Sequence, residues 1–278
     1  MARWQRVLRM PAGLYPPGDA AAMIQSCHMS VENLMAGATV SAARLRRMLD
    51  ALAADAGAEA SSLYLAPDGG TDPAVMAATG WAAPLAGLGE SVLRDGCGLV
   101  GLRAGGRGLL IAPPFPVAET FLSADWYDEP LRNILAADFE VGVVLVRLGR
   151  FSVAVFRRGE LQDSKTGSRY VKGKHHAGGT SQLRYTRVRD GQIKRLYDKV
   201  CEEARARLMP PAARLDYLAL GGERFTLNGL LKECPALASL HAITLNRRLN
   251  VRDPKRDALP QVAAMLTESR VWELEFDG

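Results

Sequence analysis

Two neighbouring runs of β-branched and apolar residues constrain the fold of this chain more than any other feature. Residues 141–148 and 151–157 meet at Gly149-Arg150, and together they predict a β-hairpin. After a turn at Arg158-Gly159, residues 160–162 are expected to add a third strand. The hairpin marks the clearest change of pattern in the chain, so we place a domain boundary near residue 138.

A long polar segment and then a long helix follow the hairpin. Residues 163–179 are polar, basic and glycine-containing without an apolar period, and a loop of this length inside a compact domain is often functional. Apolar residues from Leu183 to Leu208, regular from Ile193 onward, predict a helix from about Ser181 to the break at Pro210-Pro211. Strand, helix, strand and helix are then expected at 215–220, 225–231, 242–245 and 259–266. This alternation predicts an α/β domain over residues 138–278.

The first part of the chain, residues 1–137, is expected to form a smaller N-terminal α+β domain. Residues 1 to about 57 are predicted to be helical, with Ser41 capping a helix that has apolar residues at 45, 48, 49 and 52. A strand is expected at 62–66, and a hairpin is expected from 98–102 and 108–111 around the turn Arg103-Ala-Gly-Gly-Arg107. A short helix is expected at about 130–136.

Positive charge is concentrated in one part of the sequence. Residues 165–199 contain ten basic and two acidic residues, a net charge of +8, whereas the whole chain carries +5 and the remainder therefore carries −3. A local basic region on a slightly acidic protein is the electrostatic pattern of a polyanion-binding surface. A solvated helix face beside a flexible basic loop would give the same charge, so both interpretations stand at this point.

Several classes of site are disfavoured by what the sequence lacks. The four cysteines are far apart and form no CxxC pair, which argues against a disulfide framework and a zinc site. Residues 141–157 contain no Asp or Glu, so a two-metal nuclease is rejected and neither a metal nor another cofactor is expected. Ser181 has no histidine–acid pair arranged for it and is not expected to be a nucleophile. No transmembrane run or secretory signal is present, so a cytoplasmic protein without a membrane partner is expected.

The most informative stretch runs from Lys172 to Arg189 and reads KGKHHAGGTSQLRYTRVR. It resembles the middle domain of eukaryotic and archaeal peptide chain release factors, in which a basic Gly-Gly-Gln loop runs directly into a helix. Gly178-Gly179 and the Leu-Arg-Tyr segment from Leu183 match that frame without a gap. Thr180, however, stands at the glutamine position, and Gln182 lies two residues later. Gly-Thr-Ser-Gln is closer to the release-factor-like peptidyl-tRNA hydrolases of ribosome-associated quality control, of which this chain resembles a compact bacterial relative.

The resemblance implies a ribonuclease-H-like release-factor middle domain at 138–278, with the Gly-x-x-Gln loop at 163–182. It implies that the catalytic residues are Gln182, Gly179, Thr180 and Ser181. It also implies that the RNA-binding residues are Lys172, Lys174, His175, His176, Gly178, Arg184, Arg187 and Arg189. Glycines permit close approach to RNA, basic side chains neutralise phosphates, and a neutral glutamine can orient a water at the ester. The substrate's own ribose hydroxyl would help to move the proton.

The function implied is metal-independent hydrolysis of peptidyl-tRNA by a monomer bound to the large ribosomal subunit and its RNA, releasing nascent chains from stalled or split ribosomes. No stop-codon-reading motif is found in residues 1–137, which disfavours codon-specific termination. Two alternatives remain at this stage: an endonuclease that cuts the tRNA near its CCA end, and a non-catalytic ribosome- or RNA-binding factor. Tyr185 and Tyr197 could stack on bases, but at helical positions they are expected to be packing residues.

Overall fold

The structure of the chain is a computed structural model that describes residues 37–57, 59–67, 80–88, 96–173, 180–210 and 214–276. For residues 83, 87 and 180–183 it describes the backbone but not the side chains. Most of the helix expected over residues 1–57 therefore lies outside the described residues. Within them the chain forms two β-sheets with helices packed against both.

The first sheet has six antiparallel strands in the order β1-β11-β4-β3-β2-β5. Its strands are β1 (Ala38–Val40), β2 (Ser61–Leu65), β3 (Leu99–Ala104), β4 (Arg107–Ala112), β5 (Phe121–Ser123) and β11 (Ser269–Glu275). The predicted hairpin is confirmed as β3 and β4, which turn at Gly105-Gly106 with Gly105 at a φ of +57°. Glycine suits this turn because L side chains rarely adopt a positive φ.

Three helices accompany this sheet: α1 (Ala42–Ala53), α2 (Ala82–Leu88) and α3 (Glu129–Ala136). The cap predicted for the first is confirmed, because the Arg44 backbone N–H donates to Ser41 Oγ at 3.4 Å. Leu45, Leu49 and Leu52 are buried, and they pack with β3 and α3 in one core cluster. Trp81 is fully buried in a second cluster with strands β2 and β11.

The second sheet has five strands in the order β10-β9-β6-β7-β8. They are β6 (Glu140–Arg147), β7 (Arg150–Arg157), β8 (Glu160–Ser168), β9 (Tyr217–Gly222) and β10 (Thr244–Leu249). Strands β6, β7 and β8 pair antiparallel, whereas β9 and β10 run parallel to β6. The hairpin predicted from residues 141–157 is confirmed. Strands β6, β9 and β10 consequently end on the same side of the sheet, where β7 begins and β8 ends.

Helices cover both faces of this sheet. They are α4 (Thr180–Leu208), α5 (Arg224–Glu233), α6 (Pro235–Ala238) and α7 (Leu259–Thr267), with 3-10 turns at His241–Ile243 and Arg256–Ala258. Val144 and Val153 pack with α4, α5 and α6, while Val143 and Ala154 pack with α7 on the other face. Burial on both faces explains the near-continuous apolar runs of β6 and β7. The predicted α/β class is confirmed.

The prediction of a seventeen-residue loop at residues 163–179 is wrong in its first part, which belongs to strand β8. It continues to Ser168 rather than ending near Gln162, so the segment before α4 is shorter than expected. Its residues are mostly exposed, because β8 pairs only with β7 and forms the sheet edge. An exposed edge strand needs no apolar alternation, and its polar sequence therefore has the composition of a loop.

The two sheets do not correspond to two continuous halves of the sequence. Residues 269–275 were assigned to the second domain by the division at 138, but they form β11, between β1 and β4 of the first sheet. A smaller difference concerns the strand expected at 242–245. A 3-10 turn occupies its first part and β10 begins only at Thr244.

The cysteines also differ from expectation. Cys201 on α4 and Cys234 at the end of α5 form a disulfide with a Cα–Cα distance of 5.4 Å. The argument from sequence spacing against disulfides was wrong because the packing of α4 against α5 and α6 brings together residues 33 positions apart. Cys97 is a free thiol in the described residues, and burial raises its pKa to about 11.

Candidate functional site

The predicted catalytic motif lies where the segment after β8 enters α4. Thr180, Ser181 and Gln182 are the first three residues of this 29-residue helix, one residue earlier than the start predicted from sequence. Gly178 and Gly179 lie outside the described residues, as do Lys174, His175 and His176. The described chain reaches Gly173 before the motif and resumes within it, at Thr180.

Three hydrogen bonds attach the incoming segment to α4. The Lys172 backbone N–H donates to Gln192 Oε1 at 3.0 Å, and Arg189 Nε donates to the Lys172 carbonyl at 3.0 Å. The Tyr185 hydroxyl donates to the Gly173 carbonyl at 2.8 Å. We call this set of contacts the clasp. It holds the last described residues before the loop against the second, third and fourth turns of the helix that follows it.

The clasp includes residues whose roles were not predicted from the sequence. Gln192 was not predicted to be a functional residue. The only sequence signal for it is a glutamine on the side of the helix that faces the incoming segment. Tyr185 was expected to be a packing residue, and instead its hydroxyl holds Gly173 while its ring lies 5.4 Å from the Lys172 ammonium. Tyr197 is a packing residue as expected, being 5% exposed in the core beside α5.

The predicted RNA-binding residues in the described chain differ in their availability. Arg184 and Arg187 are exposed on the first turns of α4, and within the described residues neither has an acidic side chain within ion-pair distance. Arg189 is half-buried because it takes part in the clasp, and Lys172 is half-buried against Tyr185. Two cations are therefore available to an anionic partner, while the other two shape the base of the loop.

The far part of α4 anchors it to the sheet. Leu196, Val200, Ala204 and Leu208 are fully buried, as the spacing from Ile193 onward predicted. Val188 was included in that stripe, but it is 43% exposed, so among the described side chains the apolar stripe begins only after the clasp. The first turns of α4 are thus held by polar contacts to the incoming segment and the later turns by the apolar core.

A polar network on α4 strengthens the anchored part. Glu203 is almost fully buried and accepts from Lys199 Nζ at 2.9 Å and from the Arg207 guanidinium at 2.5 Å. The hydrogen bond from Lys199, aided by the neighbouring positive charges, lowers the pKa of the Glu203 carboxyl. Glu203 is therefore a stabilising carboxylate at neutral pH.

The backbone at the start of α4 has chemistry of its own. The first four N–H groups of an α-helix have no acceptor within the helix, and the helix dipole places partial positive charge there. Among the described residues of α4, these groups belong to Thr180, Ser181 and Gln182. Such a helix start can stabilise negative charge that develops on a bound carbonyl oxygen.

In the described residues, no group of three or more His, Cys, Asp or Glu side chains could hold a metal ion. Among the described helices, none is long and apolar enough to cross a membrane.

Sequence comparisons identify relatives of the part of the chain that contains this site. Residues 139–272 match the family described as the Actinobacteria/chloroflexi VLRF1 release factor. Peptide chain release factor subunit 1 of Aeropyrum pernix is 26% identical over 131 residues, which cover 46% of this chain and 32% of that protein. The same factor of Pyrobaculum aerophilum is 31% identical over 97 residues, covering 34% of this chain and 25% of the relative. The matches thus span about a quarter to a third of these relatives.

Two solved structures align with lower similarity. The crystal structure of the archaeal translation termination factor aRF1 aligns over 82% of this chain and 73% of that one, with 16% identity and a TM-score of 0.35. Archaeoglobus fulgidus Pelota aligns over 86% of this chain and 64% of that one, with 10% identity and a TM-score of 0.29. The resemblance to release factors that the loop suggested is confirmed by the sequence matches.

Proposed function

We propose that this chain, whose residues 139–272 are release-factor-like, hydrolyses the ester bond of peptidyl-tRNA on the large ribosomal subunit and so releases nascent chains from stalled or split ribosomes. The observation that carries the proposal is the position of the Gly-Thr-Ser-Gln motif inside the matched region, at the start of a rigidly anchored helix. The proposed partners are ribosomal RNA and peptidyl-tRNA, engaged by a cytoplasmic monomer without a cofactor.

The proposed chemistry divides between side chain, backbone and substrate. Gln182 is neutral at physiological pH and carries both a donor and an acceptor, so it can orient a water towards the ester carbonyl. The free N–H groups at the start of α4 stabilise the oxyanion that forms during attack. The resemblance to release factors implies that the substrate's own ribose hydroxyl helps to move the proton, so the protein itself needs no titrating general base.

The approach to the ribosome is assigned to the loop and the cations around it. Gly178 and Gly179 allow the backbone to come close to RNA, and Lys174, His175 and His176 would line that approach. Arg184 and Arg187 are exposed beside the motif and can neutralise phosphates. Binding should therefore weaken steeply as salt is raised.

The deciding experiment is single-turnover release of labelled peptide from peptidyl-tRNA on purified large subunits. Gln182→Ala is expected to reduce the release rate by about 100-fold or more while binding to the subunit stays within about twofold. Gln261→Ala is the matched control, because Gln261 is also the third residue of a helix, α7, and its side chain is exposed. It should release peptide at the rate of the unsubstituted protein.

The size of the RNA product separates the alternatives. Intact tRNA accompanying the released peptide would support ester hydrolysis, whereas a shortened tRNA would reassign the activity to an endonuclease that cuts near the CCA end. Binding without release by any variant would leave a non-catalytic RNA-binding factor. The threonine at position 180, where release factors have the motif glutamine, is the feature of this chain that favours that last outcome.

A further inference from the structure

A groove of about 860 Å³ lies on the side of the second sheet where strands β6 and β8 end and strand β7 begins. Four arginines line it: Arg147, Arg150, Arg169 and Arg252. The groove is distinct from the start of α4, but it is reached by the same segment of chain, because Val171 is one of its lining residues and Lys172 is the first residue of the clasp.

Hydrogen bonds fix the walls of the groove. Ser152 Oγ is fully buried and donates to the Pro254 carbonyl at 2.9 Å, which holds the segment after β10 across the start of β7. The Arg147 guanidinium donates to the Arg252 carbonyl, and the Arg169 backbone N–H donates to the Gly149 carbonyl at 2.9 Å. The arginine side chains therefore project from backbone that is already organised.

The charge of the groove is only partly neutralised. Asp253 accepts from Arg150 at 2.8 Å, and Glu223 lies 3.4 Å from Arg147. Within the described part of the chain, neither Arg169 nor Arg252 has an acidic group within 4.0 Å. Arg169 Nη1 donates to the Ser168 carbonyl at 3.1 Å, which leaves the other N–H groups of Arg169 and the Arg252 guanidinium available to a ligand. Guanidinium groups bind phosphates through paired N–H donors.

An aromatic side chain stands beside these cations. Tyr170 lines the groove and is 75% exposed, so the sheet core does not account for its position. Exposed aromatic rings next to cations are the arrangement on which unpaired bases stack while the charges track the backbone. A paired helix offers its bases only inside the duplex, where Tyr170 could not stack on them.

We propose that this groove binds a single-stranded RNA segment, with phosphates on Arg169 and Arg252 and one base stacked on Tyr170. The inference rests on the proposed function, because that function identifies the substrate as an ester linked to RNA. The groove adjoins the clasp, because Val171 lines the groove and the next residue, Lys172, is held against α4.

The test measures binding of a fluorescent, unpaired RNA of about 12 nucleotides and of the same sequence as a duplex, without ribosomes. The unpaired RNA should bind at least about fivefold more tightly. Tyr170→Leu should weaken it by about tenfold, whereas Tyr170→Phe, which keeps a stacking ring, should bind as the unsubstituted protein does. Equal binding of both RNAs, or no effect of Tyr170→Leu, would overturn the proposal.

The arginines are tested by charge-matched pairs. Arg169→Gln with Arg252→Gln should weaken binding about tenfold or more and reduce the dependence of log affinity on log salt by about one to two. Arg44→Gln with Arg47→Gln removes the same charge from exposed positions on α1 and should change binding by less than about twofold. Equal effects of the two pairs would leave a general charge effect and reject the site. Thermal unfolding should be unchanged in both pairs.

The outcome is separable from that of the proposed function. Gln182→Ala is expected to bind the oligonucleotide normally even though its peptide release is reduced by about 100-fold or more. Peptide release by an unsubstituted protein that shows no preference for the unpaired RNA would reject the groove and keep the hydrolase. Normal selective RNA binding in a protein that releases no peptide would keep the groove and reject the hydrolase.

Discussion

At the scale of single residues, Gly222 is where the second sheet tolerates least change. It ends β9 with a φ of +134°, and a Cβ added there would lie 2.1 Å from the Val146 carbonyl oxygen of the paired strand. Both the dihedral angle and the contact involve backbone, so neither can be relieved by a rotamer change. We expect Gly222→Ala to lower the free energy of unfolding by about 3 kcal/mol or more, measured by urea denaturation.

Gly191 provides the matched control for this prediction. It lies exposed within α4, and an added Cβ would have no neighbour within 4 Å. Because alanine favours helix more than glycine does, Gly191→Ala should leave stability unchanged or raise it by about 0.5–1 kcal/mol. A similar loss in both variants would show that glycine content in general, rather than the geometry at Gly222, is responsible.

Glu203 gives a prediction that depends on pH. Because its folded-state pKa is lowered, its contribution to stability is present above its usual pKa of 4.5 and is lost as the pH falls through the lower folded-state value. Glu203→Gln should therefore cost about 1–2 kcal/mol at pH 7, where it breaks charged hydrogen bonds to Lys199 and Arg207. Urea denaturation at a series of pH values should show the two proteins converging in acid, and a constant difference would contradict the assignment.

At the scale of secondary-structure elements, the clasp joins the segment after β8 to α4. Gln192→Ala removes the acceptor of the Lys172 N–H, so the exchange of that amide proton should become faster by about tenfold, as hydrogen–deuterium exchange would show. Gln192→Glu keeps an acceptor oxygen and should restore slow exchange. If the proposed function holds, Gln192→Ala should also slow peptide release without weakening ribosome binding.

Unchanged exchange of the Lys172 amide in Gln192→Ala would show that Arg189 and Tyr185 hold the segment without Gln192. Slow release combined with slow exchange would instead place Gln192 in contact with RNA. The two measurements thus separate a positioning residue from a binding residue.

A covalent link holds α4 to the end of α5 further along the helix. Closing a segment with a sequence separation of 33 residues is worth about 3–4 kcal/mol in the chain-entropy view of disulfides. Reduction of the protein should therefore lower its free energy of unfolding by about that amount. A Cys201→Ala, Cys234→Ala variant should be insensitive to the reductant, and a reductant effect that persists in this variant would contradict the assignment.

Some elements could be predicted from sequence and others could not, for identifiable physical reasons. The hairpin of β6 and β7 and the buried half of α4 carry dense apolar patterns, since each is packed on the core. The edge strand β8 is exposed and polar, so only its pairing with β7 distinguishes it from a loop. The clasp was not predicted because it depends on backbone acceptors at Lys172 and Gly173, which every residue type offers.

At the scale of the whole molecule, the described part of the chain crosses between the two sheets twice. It leaves the first sheet after α3 to build the second, and then returns after α7 with β11, which lies between β1 and β4. Strand order of this kind depends on contacts between residues distant in sequence, and no local pattern of residues 269–275 specifies it. The division at residue 138 therefore assigned β11 to the second domain.

The return of β11 makes a prediction about truncation. Ending the chain after Glu268 removes Val271, Trp272, Leu274 and Phe276, all of which are at most 5% exposed in the first sheet. At about 1.5–3 kcal/mol for each buried side chain, the loss approaches the whole stability of a typical domain of about 5–15 kcal/mol.

The truncated chain should therefore lose the first sheet while keeping much of the second. Hydrogen–deuterium exchange should show fast exchange for β3 and β4 and slower exchange for β6 and β7, because the latter pair has its own helices on both faces. Retained protection of β3 and β4 would mean that the first five strands fold without β11 and that the division at 138 describes independent units after all.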